Sequence, residues 1–152
     1  MHAFFRASAA VSAAMFLAAP IARAEDAAPK FIDPATLQFA PTPVGVAVAP
    51  VVGTAAQPGG IYVVFAKYAA GVKSVPHTHP DQRVVTVLSG VFYAGSGPEF
   101  DEKSAKALPA GSVFVVPANV VHWGFARDEA VLLQETGVGP SGVKIWPVAP
   151  AK

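Results

Sequence analysis

Three histidines are the residues of this 152-residue sequence whose type and spacing best support chemistry. His77 and His79 are separated by one residue, His122 lies in a later run of strand-forming residues, and the fourth histidine of the chain is His2. Side chains of alternate residues on a β-strand point to the same side, about 7 Å apart along the backbone. Two imidazoles placed in this way can bind one ion. The sequence therefore predicts a divalent metal site formed by His77, His79 and His122.

The same residues also allow an interpretation without a metal. On this interpretation His77 and His79, which lie between Pro76 and Pro80, are surface loop residues. His122 is then a buried core histidine. If a metal binds, the candidates are iron, manganese, zinc and nickel, since imidazole ligands suit such transition metals. Thiolate ligands are excluded because the chain contains no cysteine.

An arginine close to the histidine pair opposes a simple metal site. Arg83 follows His79 by four residues, and a guanidinium group is always protonated and cannot coordinate a cation. Strand alternation places Arg83 on the same side as His79 and places Gln82 on the opposite face. A local β-bulge would exchange the faces on which Arg83 and Gln82 lie. The carbonyl oxygen of the Gln82 side chain would then be available as a metal ligand.

The elements that must position these residues are short strands. Runs of strand-forming residues recur every 8–12 residues or so, with glycine and proline between them, and no window shows a helical period, which is typical of a β-sandwich or barrel. The predicted strands are Val44–Val48, Ile61–Tyr68, Gln82–Leu88, Val91–Ala94, Ser112–Val116, Val120–Phe125, Ala130–Glu135 and Val143–Trp146.

Two of these strands are apolar on both faces. In Val84–Leu88 and Val113–Val116 nearly every residue is apolar, whereas an antiparallel strand with one face in water normally alternates. Something is therefore expected to cover the outer face, either the proline-rich arm or a second subunit, and we predict a homodimer. Trp123, next to His122, should face away from the site and serve as a packing or dimer contact.

The N-terminal residues have the pattern of a secretory signal. A short basic segment (1–6) precedes an apolar run of thirteen residues (7–19) and a small-residue cleavage motif at 22–24. Spanning a bilayer needs about 20 apolar residues, so a signal peptide cleaved after Ala24 is predicted rather than a membrane anchor. The protein is then periplasmic or secreted, and no later segment is expected to enter a membrane.

The rest of the chain divides by composition. Residues 25–43 are rich in proline and are predicted to form an extended arm, because proline density prevents a long helix. Residues 44–147 contain the predicted strands and form a single domain, and residues 148–152 are a C-terminal tail.

Charge gives no indication of a nucleic-acid partner. Without the predicted signal, which carries two arginines, nine basic side chains stand against ten acidic ones. The basic residues are scattered singly and form no patch, so a small-molecule ligand is the expected partner.

Residues 71–90 resemble the first motif of the cupin superfamily. That motif is Gly-x5-His-x-His-x3,4-Glu-x6-Gly, and every spacing is matched by Gly71, His77, His79, Arg83 and Gly90. The one departure is Arg83, which stands in place of the glutamate.

Residues 111–126 are similar to the second cupin motif, Gly-x5-Pro-x-Gly-x2-His-x3-Asn. Gly111, Pro117 and His122 match, whereas Asn119 replaces the second glycine and Ala126 replaces the final asparagine. Asparagine tolerates the left-handed backbone region better than most residues, so the first exchange is conservative for the backbone. The resemblance implies an all-β, double-stranded β-helix (jelly-roll) fold with the proline-rich arm added.

The resemblance also implies a ligand set. Metal-binding cupins use three histidines and the motif glutamate, which gives His77, His79 and His122 here and leaves the fourth place to Arg83. If the metal is present, Arg83 binds a substrate carboxylate or phosphate beside it. Alternatively the pocket holds no metal and binds an organic anion, or Arg83 leaves the barrel and pairs with Asp81 or Glu135, because an unpaired buried guanidinium is costly.

The resulting functional prediction is an exported cupin that binds or acts on a small anionic organic molecule at a three-histidine metal site. Arg83, Gln82 and Glu135 are the predicted substrate-binding residues. If the protein is an enzyme, oxygenase, lyase, isomerase and hydrolase chemistry all remain open, since one fold hosts many reactions. The alternative is a metal-free module that binds or senses a sugar or an organic acid.

Overall fold

Eleven β-strands and one short 3-10 helix, Pro34–Thr36, make up the regular structure of residues 28–147, the part of the chain that this computed structural model describes. The strands form two antiparallel sheets. The larger sheet has the order β1 (Ala40–Pro41), β2 (Ala47–Val52), β3 (Ile61–Tyr68), β10 (Val131–Val138), β5 (Arg83–Ser89) and β8 (Val113–Val116). The smaller sheet has the order β11 (Lys144–Ile145), β4 (His77–Thr78), β9 (His122–Ala126), β6 (Val91–Ser96) and β7 (Lys106–Pro109).

This architecture confirms the predicted all-β jelly-roll fold. β3 has the predicted bounds, Ile61–Tyr68, and most other predicted strands differ from the observed ones by one to three residues. Three short strands, β1, β4 and β7, were not predicted, because two to four residues carry too little alternation to be recognised.

The structure describes neither end of the chain. The predicted signal peptide, residues 1–24, and the predicted tail, 148–152, lie outside the described residues, so export stays a prediction from the sequence. Within residues 28–147, none of the helical structure has the length and apolarity needed to cross a bilayer. Part of the predicted arm joins the larger sheet, since Ala40 and Pro41 of β1 pair with Val48 and Ala47 of β2.

The hydrophobic core lies between the two sheets. Tyr68, Val85 and Leu133 from the larger sheet pack with Phe92 and Leu108 from the smaller one, and each is less than a tenth exposed. A cavity of about 610 Å³ opens beside this core, and the same five side chains form part of its wall. The sheets thus supply both the packing and the walls of a site.

The outer face of the larger sheet is apolar and partly uncovered. Phe65 and Leu132 share a groove on this sheet with Leu37 and Phe39 of the arm. Further along the sheet, the apolar side chains stay exposed, with exposed fractions of 42% for Val84, 60% for Val113 and 53% for Val115. The arm therefore reaches only part of the face that the sequence predicted to be covered.

Candidate metal centre

The three histidines come together where β4 pairs with β9. His77 lies directly opposite His122 in this ladder, and His79 follows β4 by one residue. The ring centroids are 4.3 Å apart for His77 and His122, 4.9 Å for His77 and His79, and 5.2 Å for His79 and His122. His77 and His79 are buried and His122 is half-buried.

Hydrogen bonds between segments far apart in the sequence stabilise this junction. The Ser74 hydroxyl donates to the Gly124 carbonyl and accepts from the Gly124 amide, which ties the segment before β4 to the middle of β9. Asn119 adopts the left-handed conformation, with φ of 61°, and its amide donates to the His79 carbonyl at 2.7 Å. The residue that replaces a motif glycine therefore keeps the backbone conformation that glycine allows.

Backbone carbonyls orient all three imidazole rings. The Nδ1 atoms of His77, His79 and His122 lie 2.7, 2.6 and 3.0 Å from the carbonyl oxygens of Val75, Gly142 and Val120 respectively. A carbonyl oxygen only accepts hydrogen bonds, so each Nδ1 carries the proton and each Nε2 keeps its lone pair. Metal-binding histidines are commonly oriented in this way by a hydrogen bond from the second ring nitrogen.

The rings are uncharged at neutral pH. Burial lowers the pKa of His77 to about 4, with a further contribution from His122. Burial and the positive charge of Arg83 lower the pKa of His79 to about 3, and burial also lowers the pKa of His122. Neutral imidazole is the form that binds a metal, so no proton has to leave before an ion can enter.

The distances suit a single ion. Zinc–imidazole bonds are about 2.0–2.1 Å long, so two nitrogens on one ion lie at most about 4.2 Å apart. The ligand nitrogens of the three histidines lie within 4.8 Å of one another, so a bound ion would draw the rings slightly closer together. The donor set fits a divalent transition metal with open positions for water or an organic ligand.

Arg83 faces the barrel interior but is held by other protein groups. It is buried and lines the same cavity as the histidines. Its Nη1 donates to Glu135 at 2.8 Å and its Nη2 donates to the Ser141 hydroxyl at 2.6 Å, with the Asp81 carboxylate 3.5 Å from Nη2. The guanidinium also lies 5.8 Å from the ring centre of Tyr62. One cation is thus paired with two carboxylates.

Asp81 is the centre of this buried network. Its two carboxylate oxygens accept hydrogen bonds from the hydroxyls of Ser141 and Tyr62. Burial alone raises the pKa of Asp81, but these two hydrogen bonds and the charge of Arg83 outweigh it, so the pKa lies below its usual value. Burial and the bond to Asp81 raise the pKa of Tyr62 to about 12. Asp81 is therefore an ionised carboxylate.

A family model described as Cupin matches residues 49–144, well over half of the chain. The chain belongs to the cupin family. This confirms the resemblance inferred from the two motifs.

Similar sequences include plant germin-like proteins. This cupin is 38% identical over 73 residues to the putative germin-like protein 8-1 of Oryza sativa subsp. japonica, which is 45% of this chain and 33% of that protein. It is 33% identical over 85 residues to germin-like protein 1-1 of the same organism, covering 55% and 35% of the two chains. The chain spans about a third of the length of these relatives.

Similar structures support the fold. The polyketide cyclase RemF from Streptomyces resistomycificus matches with a TM-score of 0.67 and 10% identity, over 81% of this cupin and 89% of that chain. KdgF from Halomonas sp. matches with a TM-score of 0.58 and 20% identity, over 72% and 94%. At such identities the likeness concerns the architecture.

The structure brings most of the predicted site residues of this cupin to one cavity. His77, His79, His122, Arg83 and Glu135 all line it. Gln82 does not line the cavity and is exposed on the opposite face, as strand alternation requires, so no bulge turns its side chain inward.

The sequence did not predict that Tyr62 and Ser141 bind Asp81 in this network. Tyr62 lies in β3 and Ser141 in the loop after β10, so both lie outside the two motifs. Asp81 was considered as a partner of Arg83, but a link through Ser141 has no local signal. Gly137 has a steric role here, because a Cβ at this position would lie 2.5 Å from both the Asp81 carboxylate and the Tyr62 hydroxyl.

Proposed function

We propose that this cupin binds one divalent transition metal on His77, His79 and His122 and that its cavity holds a small organic molecule beside the ion. The observation that carries the proposal is the convergence of three neutral imidazoles whose Nδ1 atoms are all held by backbone carbonyls. A bound metal would act there as a Lewis acid or would activate water or dioxygen.

The charge around the histidines supports a metal-bound site over a metal-free one. An uncompensated cation at Arg83, beside His79, would repel a divalent ion. Asp81 and Glu135 both pair with that cation and leave the group of three side chains with one net negative charge. A dication is attracted by such a group rather than repelled.

We propose three candidate reaction classes. Similar structures include the DMSP lyase DddQ of Ruegeria pomeroyi and a salicylate 1,2-dioxygenase of Pseudoaminobacter salicylatoxidans, at 15% and 21% identity. Such likeness extends to the fold, so lyase, oxygenase and isomerase chemistry remain equal proposals for this chain.

We predict that the purified protein contains close to one equivalent of a divalent transition metal per chain. His77→Ala and His122→Ala should each reduce the bound metal to less than a tenth, because removing one of three ligands leaves only two imidazoles to hold the ion. Elemental analysis by mass spectrometry after dialysis measures this directly.

Glu129→Ala is the matched control for these variants. Glu129 is an exposed, potentially metal-binding side chain in the turn before β10, and its removal should leave the stoichiometry unchanged. A wild-type stoichiometry near zero, after the protein has been offered iron, manganese, zinc and nickel in turn, would refute the proposed metal site.

We also propose that the exposed outer face of the larger sheet joins two copies of the chain. Val84 and Val115 lie opposite each other in the β5–β8 ladder, and both are about half exposed. Contiguous apolar side chains on an antiparallel sheet are typical of a subunit interface.

The wild-type protein should therefore sediment as a dimer at micromolar concentration. The double variant Val84→Lys/Val115→Lys should sediment as a monomer, since lysines opposite each other in both subunits would bury like charges. Ile145→Lys, at a similarly exposed apolar residue of the smaller sheet, should leave the dimer intact. A monomeric wild-type protein in sedimentation velocity would contradict this prediction.

A further inference from the structure

Three of the five N–H donors of Arg83 are already bonded to protein groups. Nη1 is bonded to Glu135, and Nη2 is bonded to Ser141 and lies close to Asp81. Nε is buried and has no hydrogen-bond partner within the described part of the chain, but no ligand can reach it because its surface is closed off. An anionic group that bound Arg83 through two parallel hydrogen bonds would have to displace Glu135 or Ser141.

Glu135 is the charged side chain at the buried end of the cavity that remains open to a ligand. Its side chain is 17% exposed and lines the cavity wall. The oxygen Oε2 accepts from Arg83, whereas Oε1 has no hydrogen-bond donor among residues 28–147. Lys106 also lines the cavity, but it is exposed and lies outside the buried charge group. The buried polar end of the cavity therefore offers an acceptor that carries negative charge.

Much of the remaining cavity wall is apolar. Val85, Phe92, Leu108, Phe114 and Leu133 contribute to its wall, and the Phe92 and Phe114 rings are stacked, with centroids 5.9 Å apart. A volume of about 610 Å³ is within the usual range for small-molecule sites. A sugar would leave most of its hydroxyl groups unpaired against such a wall, whereas a flat apolar body would fill it.

We propose that Glu135, and not Arg83, receives the polar group of the ligand, and that this group is a hydroxyl of a phenol, enol or alcohol carried by an apolar body. Arg83 is a positioning residue that holds the Glu135 carboxylate in place through the hydrogen bond from Nη1 to Oε2. The inference rests on the proposed function, because it takes the cavity to be a small-molecule site. It replaces the expected anionic ligand with one that donates a hydrogen bond.

Two probes with one body and different head groups test the inference. 2-Naphthol donates a hydroxyl hydrogen and, as a phenol, is uncharged at pH 7, whereas 2-naphthoate carries a carboxylate. Titration calorimetry of both probes against the full-chain wild type and Glu135→Gln gives a ratio of affinities for each protein. Bound metal is measured on the same samples, so that the wild type and Glu135→Gln are compared at equal metal content.

The affinity ratio of 2-naphthol to 2-naphthoate should fall about ten-fold in Glu135→Gln. The naphthol loses a charged acceptor, and the naphthoate loses a repelling charge. Glu129→Gln removes the same charge at an exposed site and should keep the wild-type ratio.

An unchanged ratio in Glu135→Gln would overturn the inference, as would the failure of both probes to bind a wild-type protein that contains its metal. Failure of the proposed function looks different, because neither metal nor either probe would then bind.

Discussion

Replacing Arg83 with methionine is expected to lower the free energy of unfolding by about 3–5 kcal/mol, the range found when one partner of a buried ion pair is removed. Methionine keeps much of the side-chain length but leaves Asp81 and Glu135 without a cation. The Asp81 carboxylate is buried and the Glu135 carboxylate nearly so, with side-chain exposed fractions of 5% and 17%. Urea unfolding followed by fluorescence measures the loss.

Two further variants separate charge from packing. Lys73→Met removes the cation of the Lys73–Glu102 pair, whose side chains are 51% and 41% exposed, and should cost less than about 1 kcal/mol because surface pairs contribute little. Adding Asp81→Asn and Glu135→Gln to Arg83→Met removes the uncompensated charges and should recover most of the loss. If Arg83→Met unfolds within 1 kcal/mol of the wild type, the guanidinium is not required by the two carboxylates.

Replacing Trp123 with alanine is expected to cost a similar amount, about 3–5 kcal/mol, which is typical of large-to-small changes at buried aromatic residues. Trp123 is 2% exposed and its ring lies directly on Gly95, where an added Cβ would come within 2.1 Å of the indole. The Phe100 ring packs against it with a centroid distance of 4.5 Å. Since His122 is the preceding residue, the variant should also weaken metal binding.

Two control variants test whether the effect comes from the loss of a buried ring. Trp123→Phe should cost less than about 1.5 kcal/mol, because it keeps most of the ring volume and removes an indole nitrogen that has no hydrogen-bond partner in the described structure. Trp146→Ala, at a tryptophan that is 38% exposed, should also have a small effect. A normal stability for Trp123→Ala would contradict this prediction.

Much of the fold could be predicted from the sequence because its signals are local. Alternating apolar residues and intervening turns predicted β3 with its observed bounds, since each strand needs only its own residues to show the period. The spacing of the two cupin motifs predicted that His77 and His122 meet, and they lie opposite each other in the β4–β9 ladder. The left-handed conformation of Asn119 also agrees with the prediction.

The surroundings of Arg83 could be predicted only in part. Asp81 and Glu135 were expected as its partners only if Arg83 left the barrel, whereas the structure pairs Arg83 with both carboxylates inside it. Strand alternation predicted that Arg83 faces the interior, but alternation does not identify the hydrogen-bond partners that Arg83 finds there. Ser141 and Glu135 reach Arg83 from 58 and 52 residues further along the chain. Nothing in the local pattern around residue 83 records these contacts.

The sequence by itself thus determined the all-β fold, the family and the three histidines, because spacing along a strand directly sets which side chains share a face. The tertiary structure alone decided that Arg83 is neutralised by Asp81 and Glu135, and that Glu135 is the charged group facing the cavity. The physical reason is that the fate of a buried charge depends on every group folded around it, and the pairing of β3, β10 and β5 with the turn that holds Ser141 creates those surroundings.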